Sequence, residues 1–323
     1  MTLTAFLHGY PPGWSMGGEV STHRTLRAVP GSTVFTETDQ PYTLDDVQVR
    51  PIIGPHVLEV MEDARSVGTT ALFAHSTLSR VTVQAARRMR IPAILSVHAP
   101  PRFAGDLRSA WGTATVRLYN TEAARREWKD DKGWLLHPPV GKPPTTGRLD
   151  GPHDALTLTS SLTNKGAIQT LGLAERWPDR RFIIMRSPAH RTHGSNDFDA
   201  LAARLDNVEV WDRLHPDEMS AVWAETKVLL VPSRYETYGL SALEAAWHDI
   251  PSVHVDTPHV REGIGDAARL LKPGLTVGDL EDAVRDVEKD YDLWSESART
   301  RVENLALRER RELAAFGQGV AGL

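Results

Sequence analysis

The sequence predicts an α/β protein built as two doubly wound parallel-sheet domains. Two observations carry this. Short aliphatic runs alternate with helical patterns along nearly all of the 323 residues, the mark of strand–helix–strand units that feed a parallel sheet. The alternation breaks clearly once, over residues 137–154 (HPPVGKPPTTGRLDGPHD), where five prolines and three glycines read as a linker. A chain of this length holds two domains of ordinary size.

In the first half, strands are expected at 3–7, 33–35, 71–74, 93–97, 116–119 and 133–136, with helices at 18–29, 57–67, 79–89 and 122–128. In the second half, strands are expected at 155–159, 182–185, 208–210, 228–231, 252–255 and 269–271. Helices there fall at 166–177, 198–205, 216–225, 239–247, 260–265 and 279–289, and a charged helical tail runs from 291 to 316. No repeat of 20–50 residues is evident. In doubly wound sheets ligands bind beyond the carboxyl ends of the strands, so the expected site is a cleft between the two domains. His8, His75, His98 and Glu236 all follow predicted strands.

Composition narrows the function classes. With 41% hydrophobic and 24% charged residues the chain is of the soluble globular type. No apolar run approaches 18 residues, and the start, MTLTAFLHGYPPG, lacks the basic and apolar regions of a signal peptide. The absence of cysteine excludes disulfides and thiolate chemistry and fits a cytoplasmic enzyme. Arginine outnumbers lysine 30 to 7, which reads as a GC-rich genome. Residues 1–150 carry 17 Lys+Arg against 14 Asp+Glu, or +3, and residues 151–323 carry 20 against 28, or −8. Neither half has a nucleic-acid-binding footprint, though a mildly basic first half leaves room for an anionic acceptor.

The most informative stretch is residues 228–256, VLLVPSRYETYGLSALEAAWHDIPSVHVD. An aliphatic strand runs into a polar loop, and a helix is expected from near Tyr238. A helix N-terminus after a parallel strand offers free N–H groups to a phosphate. Glu236 precedes that helix and Glu244 lies inside it, where a carboxylate can accept hydrogen bonds from sugar hydroxyls. The bare spacing is weak, since 19 glutamates give about one such pair by chance. The surrounding residues supply the specificity. Pro232, Ser233, Glu236, Tyr238, Gly239, Glu244, Ala245 and Pro251 resemble the donor-site signature of the family 4 retaining glycosyltransferases, which have the GT-B fold. One departure is Asp249, where that family usually has Gly. Asp tolerates left-handed backbone, so a helix cap can survive there.

Further segments extend the resemblance. HGYPPGWSMGGE, residues 8–19, is similar to the family's first glycine loop, whose backbone approaches an anion through Gly13, Gly17 and Gly18. SSLTNKG, residues 160–166, matches the family at Lys165 and Gly166, but Ser161 stands near the place of a usual Arg. Arg186 could replace that charge. Lys165 at a helix start opposes the dipole, and an anionic ligand would relieve the conflict. His98 and His75 match family histidines, with a strand-end structural role open for both. Glu262 sits at a family glutamate, but Pro258 and His259 replace a usual Gly-Gly turn. The turn 211–214, with Arg213 and Leu214, matches the base-binding location.

The resemblance implies a GT-B enzyme that moves a sugar from a nucleoside-diphosphate sugar, UDP-linked first and GDP-linked next, with retention and no essential metal. No cofactor is expected. The implied catalytic residues are Glu236, His98 and Lys165. The implied donor-binding residues are Gly17, Gly18, Ser161, Arg186, Arg213, Leu214, Thr237, Tyr238, Gly239, Leu240 and Glu244. His8, Tyr10, Trp14 and His75 are acceptor-side candidates. The first domain, 1–143, would bind the acceptor; the second, 144–303, would bind the donor, with a helix over about 304–323 packing back on the first. Two D-x-D triplets, at 197–199 and 290–292, occur at chance frequency in charged helical stretches and read as solvated. The thirteen histidines lack zinc-ligand spacing. The acceptor is left open among lipid, protein, glycan, small molecule and modified nucleobase. Two alternative activities also stay open, a sugar-nucleotide epimerase of the same architecture and a non-catalytic nucleotide-sugar-binding relative.

Overall fold

The computed structural model describes residues 2–12, 17–103, 105–187, 196–212, 214–215 and 218–323. The chain divides into two compact units. One comprises Met1–Pro139 and Leu307–Leu323, the other Val140–Ala306.

The first unit is an eight-stranded sheet. Its strands are β1 (Leu3–Phe6), β2 (Thr33–Thr36), β3 (Tyr42–Leu44), β4 (Val47–Pro51), β5 (Ala71–Ala74), β6 (Ala93–Val97), β7 (Val116–Tyr119) and β8 (Trp134–Leu135). They lie in the order β3-β4-β2-β1-β5-β6-β7-β8, parallel except for the β3–β4 pair. Most parallel strands are aliphatic without alternation because both faces are covered. Their side chains divide by the two-residue period of a strand. Leu72, Ala74 and Leu95 join one core, while Ala71, Phe73 and Ile94 join the other. The second core also takes Phe316 and Val320 from the end of the long last helix, Tyr291–Ala321.

Two features of this unit depart from expectation. β3 and β4 form a hairpin whose turn, Asp45-Asp46, has φ of 45° and 67°. A two-residue hairpin turn of this kind needs left-handed backbone at both positions. Asp-Asp is not the usual Asn-Gly or Asp-Gly signal for it, so the hairpin is missing from the sequence reading. A helix, Gly105–Trp111, also stands between β6 and β7, where no helix is expected.

The second unit is a six-stranded, fully parallel sheet. Its strands are β9 (Ala155–Leu158), β10 (Phe182–Met185), β11 (Val208–Trp211), β12 (Thr226–Val231), β13 (Ser252–Val255) and β14 (Arg269–Leu271). The order is β11-β10-β9-β12-β13-β14. Relabelled from the unit's first strand this is 3-2-1-4-5-6, the order of dinucleotide-binding doubly wound folds. The reversal falls between β9 and β12, so their carboxyl ends form the switch point at which doubly wound sheets bind ligands.

Asp249 bears out its expected backbone. It has φ 60° after the helix Leu240–Ala246, and its Oδ1 accepts a 2.9 Å hydrogen bond from Arg299 Nε.

Candidate functional site

The loops leaving β9 and β12 meet at the switch point of the second unit. Gly166, at φ 90°, is the reason they can approach. A Cβ there would lie 2.4 Å from Pro232 Cγ and 2.7 Å from Pro232 O, so only glycine fits. Arg234 N–H then donates to Asn164 O at 2.9 Å. This contact brings together Lys165, from the first loop, and Glu236, from the second. Lys165 Nζ donates to Glu236 Oε2 at 2.8 Å. Lys165 does not open the helix, as expected, but ends a 3-10 turn, Thr163–Lys165, ahead of the helix Ala167–Arg176.

Glu236 is held on both oxygens. Thr237 N–H donates to Oε1 at 3.0 Å, and Ser233 Oγ lies 3.5 Å from Oε2. Burial, the largest influence, pushes its carboxyl up, but the charge and hydrogen bond of Lys165, with the His254 ring and the Thr237 N–H, together hold it below the usual carboxylate range. The carboxylate is therefore ionised and fixed before any ligand arrives.

His254, on β13, belongs to this cluster and is absent from the sequence-based candidates. It is fully buried, and its Nδ1 lies 3.2 Å from Val255 O. Burial lowers its pKa to about 4, against the pull of Glu236. A Cβ on Gly239 would lie 2.6 Å from His254 Nε2. Gly239 has φ 85° and caps the helix Leu240–Ala246, which lies within the expected 239–247. A histidine flanked by two valines in a predicted strand is the signal that could have found it.

The other donor-side candidates scatter around this centre. Tyr238 is buried; Leu240 and Leu214 are half-buried against the same core, and Glu244 is half-buried one turn into the helix. Ser161 is fully buried, and its Oγ accepts the Ser187 N–H at 3.1 Å, so it secures the strand-end loop. Arg186 is engaged by carboxylates, with NH1 2.7 Å from Asp199 and Nε 3.4 Å from Asp212. Asp199 of the first D-x-D triplet is thus paired with an arginine. Arg213 lies outside the described residues. His259 is buried with Nε2 3.1 Å from Tyr235 Oη, so the residue that replaces a glycine turn braces the loop carrying Glu236. Among the described residues no three His, Asp or Glu side chains gather as metal ligands.

The first unit carries its own cluster at the carboxyl ends of β5 and β6. The rings of His75 and His98 stack at 4.7 Å with 28° between planes. Burial, and then the neighbouring His98, pushes His75 well below the ordinary histidine range; burial also lowers His98. Both are neutral at pH 7. His75 Nδ1 is buried with no partner among the described residues. Its Nε2 lies 2.9 Å from where a Cβ on Gly18 would stand, which ties it to the helix Gly17–Leu26. After β1, His8 Nδ1 lies 3.0 Å from Glu37 Oε1. Tyr10 is buried, and its hydroxyl lies 2.6 Å from His23 Nδ1. Trp14 lies outside the described residues.

Residues 171–290 match the family model described as glycosyl transferases group 1. No curated protein sequence matches the chain. Solved structures of similar fold include Anabaena HepE in complex with UDP-glucose, with a TM-score of 0.77 at 15% identity over 100% of this chain and 98% of that one. Sucrose-phosphate synthase from Thermosynechococcus elongatus superposes with a TM-score of 0.77 at 12% identity, covering 99% and 98% of the two chains. WaaG, a glycosyltransferase involved in lipopolysaccharide biosynthesis, does so with 0.67 at 14% identity, covering 93% and 95%. Two doubly wound sheets and these neighbours establish a GT-B fold, and residues of the second unit match the glycosyl transferases group 1 model.

Proposed function

We propose that this chain is a metal-independent retaining glycosyltransferase of the family 4 type, drawing on a nucleoside-diphosphate sugar. The carrying observation is the Lys165–Glu236 pair at the switch point of the second sheet. It places a cation for a diphosphate beside an ionised, fixed carboxylate for a sugar, where doubly wound sheets bind nucleotides. The segment matched by the glycosyl transferases group 1 model contains Glu236, Gly239 and Glu244. HepE was solved with UDP-glucose, which favours a UDP-linked donor.

In this reading the second unit binds the donor and the first unit the acceptor. Lys165 attracts the departing diphosphate, whose negative charge grows as the sugar–oxygen bond breaks. Glu236 is acceptor-only when ionised, so it can bond sugar hydroxyls and stabilise positive charge on the ring. Gly239 lets backbone approach the phosphates, and Glu244 addresses the ribose. His98, neutral at pH 7, can accept from or donate to a hydroxyl.

The test is a thermal-shift and hydrolysis screen against UDP-, GDP-, ADP- and dTDP-sugars, with and without EDTA. Stabilisation by one nucleotide sugar and slow EDTA-resistant release of its diphosphate is expected. A flat response to all four removes the donor reading, and loss of turnover in EDTA removes metal independence.

A further inference from the structure

The carboxyl end of β6 is gripped by a chain of side chains that the proposed reaction does not itself use. We propose that Trp128 is a positioning residue for His98, fixing the backbone that carries this imidazole. The inference rests on the transferase reading above, in which His98 meets a hydroxyl at the reacting centre.

His98 depends on the end of its strand for its place. Among the described residues its Nδ1 has no hydrogen-bond partner, and the ring is met by the stacked His75 and by the backbone of Ser96, in the same strand. The ladder between β6 and β7 ends at the Val97–Tyr119 pair, so residues 98 and 99 lie beyond sheet pairing. Trp128 grips them there. Its Nε1 donates to Ala99 O at 2.9 Å, one residue past His98. Trp128 caps the helix Glu122–Glu127, so this one bond joins that helix to the end of β6. An indole N–H taken out of water needs an acceptor, and phenylalanine would supply apolar surface without the donor.

Trp128 is itself held. Its ring stacks on Trp111, with centroids 5.6 Å apart and 20° between planes. Trp111 Nε1 donates to Tyr119 Oη at 2.7 Å, and Tyr119 Oη donates to Asp130 Oδ2 at 3.0 Å. Asp130 Oδ1 accepts the N–H groups of Lys132 and Gly133, each at 3.1 Å. Arg117 pairs with Asp130 and lies 4.9 Å over the Trp111 ring, which closes the network on itself. Both indole N–H groups, the phenol and both carboxylate oxygens have partners. A fully satisfied polar network is rigid, and rigidity passed to the backbone beside a reacting group is what keeps that group in its productive geometry.

The experiment is a double-mutant cycle on the full chain, with turnover and half-saturation read for hydrolysis of UDP-, GDP-, ADP- and dTDP-glucose. Trp128→Phe keeps an aromatic ring against Trp111 and removes the N–H. It should lower turnover about tenfold at unchanged donor half-saturation, since a misplacement of about 1 Å can cost roughly 10²-fold. His98→Ala should lower turnover roughly 10²-fold. Adding Trp128→Phe to His98→Ala should cost nothing further, because the bond acts through His98. Phe316→Ala, in the other core of the first unit, should lose more stability than Trp128→Phe yet keep its turnover below its melting temperature, which separates positioning from a general loosening of the unit. Losses that multiply in the double variant, a loss confined to half-saturation, or normal turnover in either single variant overturns the inference and leaves the transferase reading in place. A wild-type chain that hydrolyses none of the four removes the transferase reading and this inference together.

Discussion

Glu236 has both carboxylate oxygens engaged before any ligand binds, by Lys165 and Ser233 on one and Thr237 N–H on the other. Preorganised charge of this kind is effective because no reorganisation is needed when the transition state forms. Lys165→Ala and Glu236→Ala should each lower turnover by roughly 10²-fold, measured as donor turnover at saturating nucleotide sugar with far-UV circular dichroism as the fold control. A near-normal rate in either variant removes that residue's role. Gly239 is a separate case, because its substitution meets two obstacles, the left-handed φ of 85° and His254 Nε2 at 2.6 Å. Gly239→Ala should cost about 1–3 kcal/mol and weaken the nucleotide-induced thermal shift. Gly31→Ala is the control, with a similar φ of 79° but no atom within 4 Å; it should lose stability through backbone strain alone and keep the shift. Equal behaviour of the two would show that His254 and the turn are uncoupled.

At the scale of the element, sequence signals succeed where the chain's local preference and its burial agree. β5, β6, β7, β10, β13 and β14 have the bounds that their aliphatic runs predict. The β3–β4 hairpin escapes because its turn relies on Asp45 and Asp46 accepting strained backbone, a cost repaid by pairing Val49 and Gln48 with β2. The last helix illustrates packing that propensity does not foresee. Phe316 is 4% exposed and meets the Trp134 ring edge-on at 6.4 Å, inside the first unit. Phe316→Ala should lower stability by about 3 kcal/mol, read from urea denaturation. A change under about 1 kcal/mol would mean that these turns are not part of the first unit's core.

Across the whole molecule, buried histidines set the response to acid. His23, His75, His98, His248 and His254 all have lowered pKa values, with burial the largest cause in each. As pH falls through about 6.5 the unfolded chain takes up protons that the folded chain refuses. The stability tied to neutral histidine is therefore fully present above about pH 6.5 and is lost towards the folded values. For His254 alone, the gap between 6.5 and about 4 is worth roughly 3 kcal/mol. The guanidinium midpoint should accordingly drop between pH 7 and pH 5, and His254→Leu should flatten that slope. A midpoint constant over this range would contradict the assignment of neutral, buried imidazoles.

The sequence by itself determined the alternation of strands and helices, the Pro-rich break between the halves, and the residues after β9 and β12 that form the candidate donor site. These are local properties, since period, turn chemistry and strand-end position are written in neighbouring residues. Only the tertiary structure decided which of them touch. Lys165 and Glu236 are 71 residues apart and meet because β9 and β12 are adjacent in the sheet. His254 joins them because β13 lies beside β12, and Ser161 and Arg186 are drawn to Ser187, Asp199 and Asp212 by the ends of β9 and β10. Contacts between distant residues are set by strand order, and strand order is fixed by the packing of whole elements.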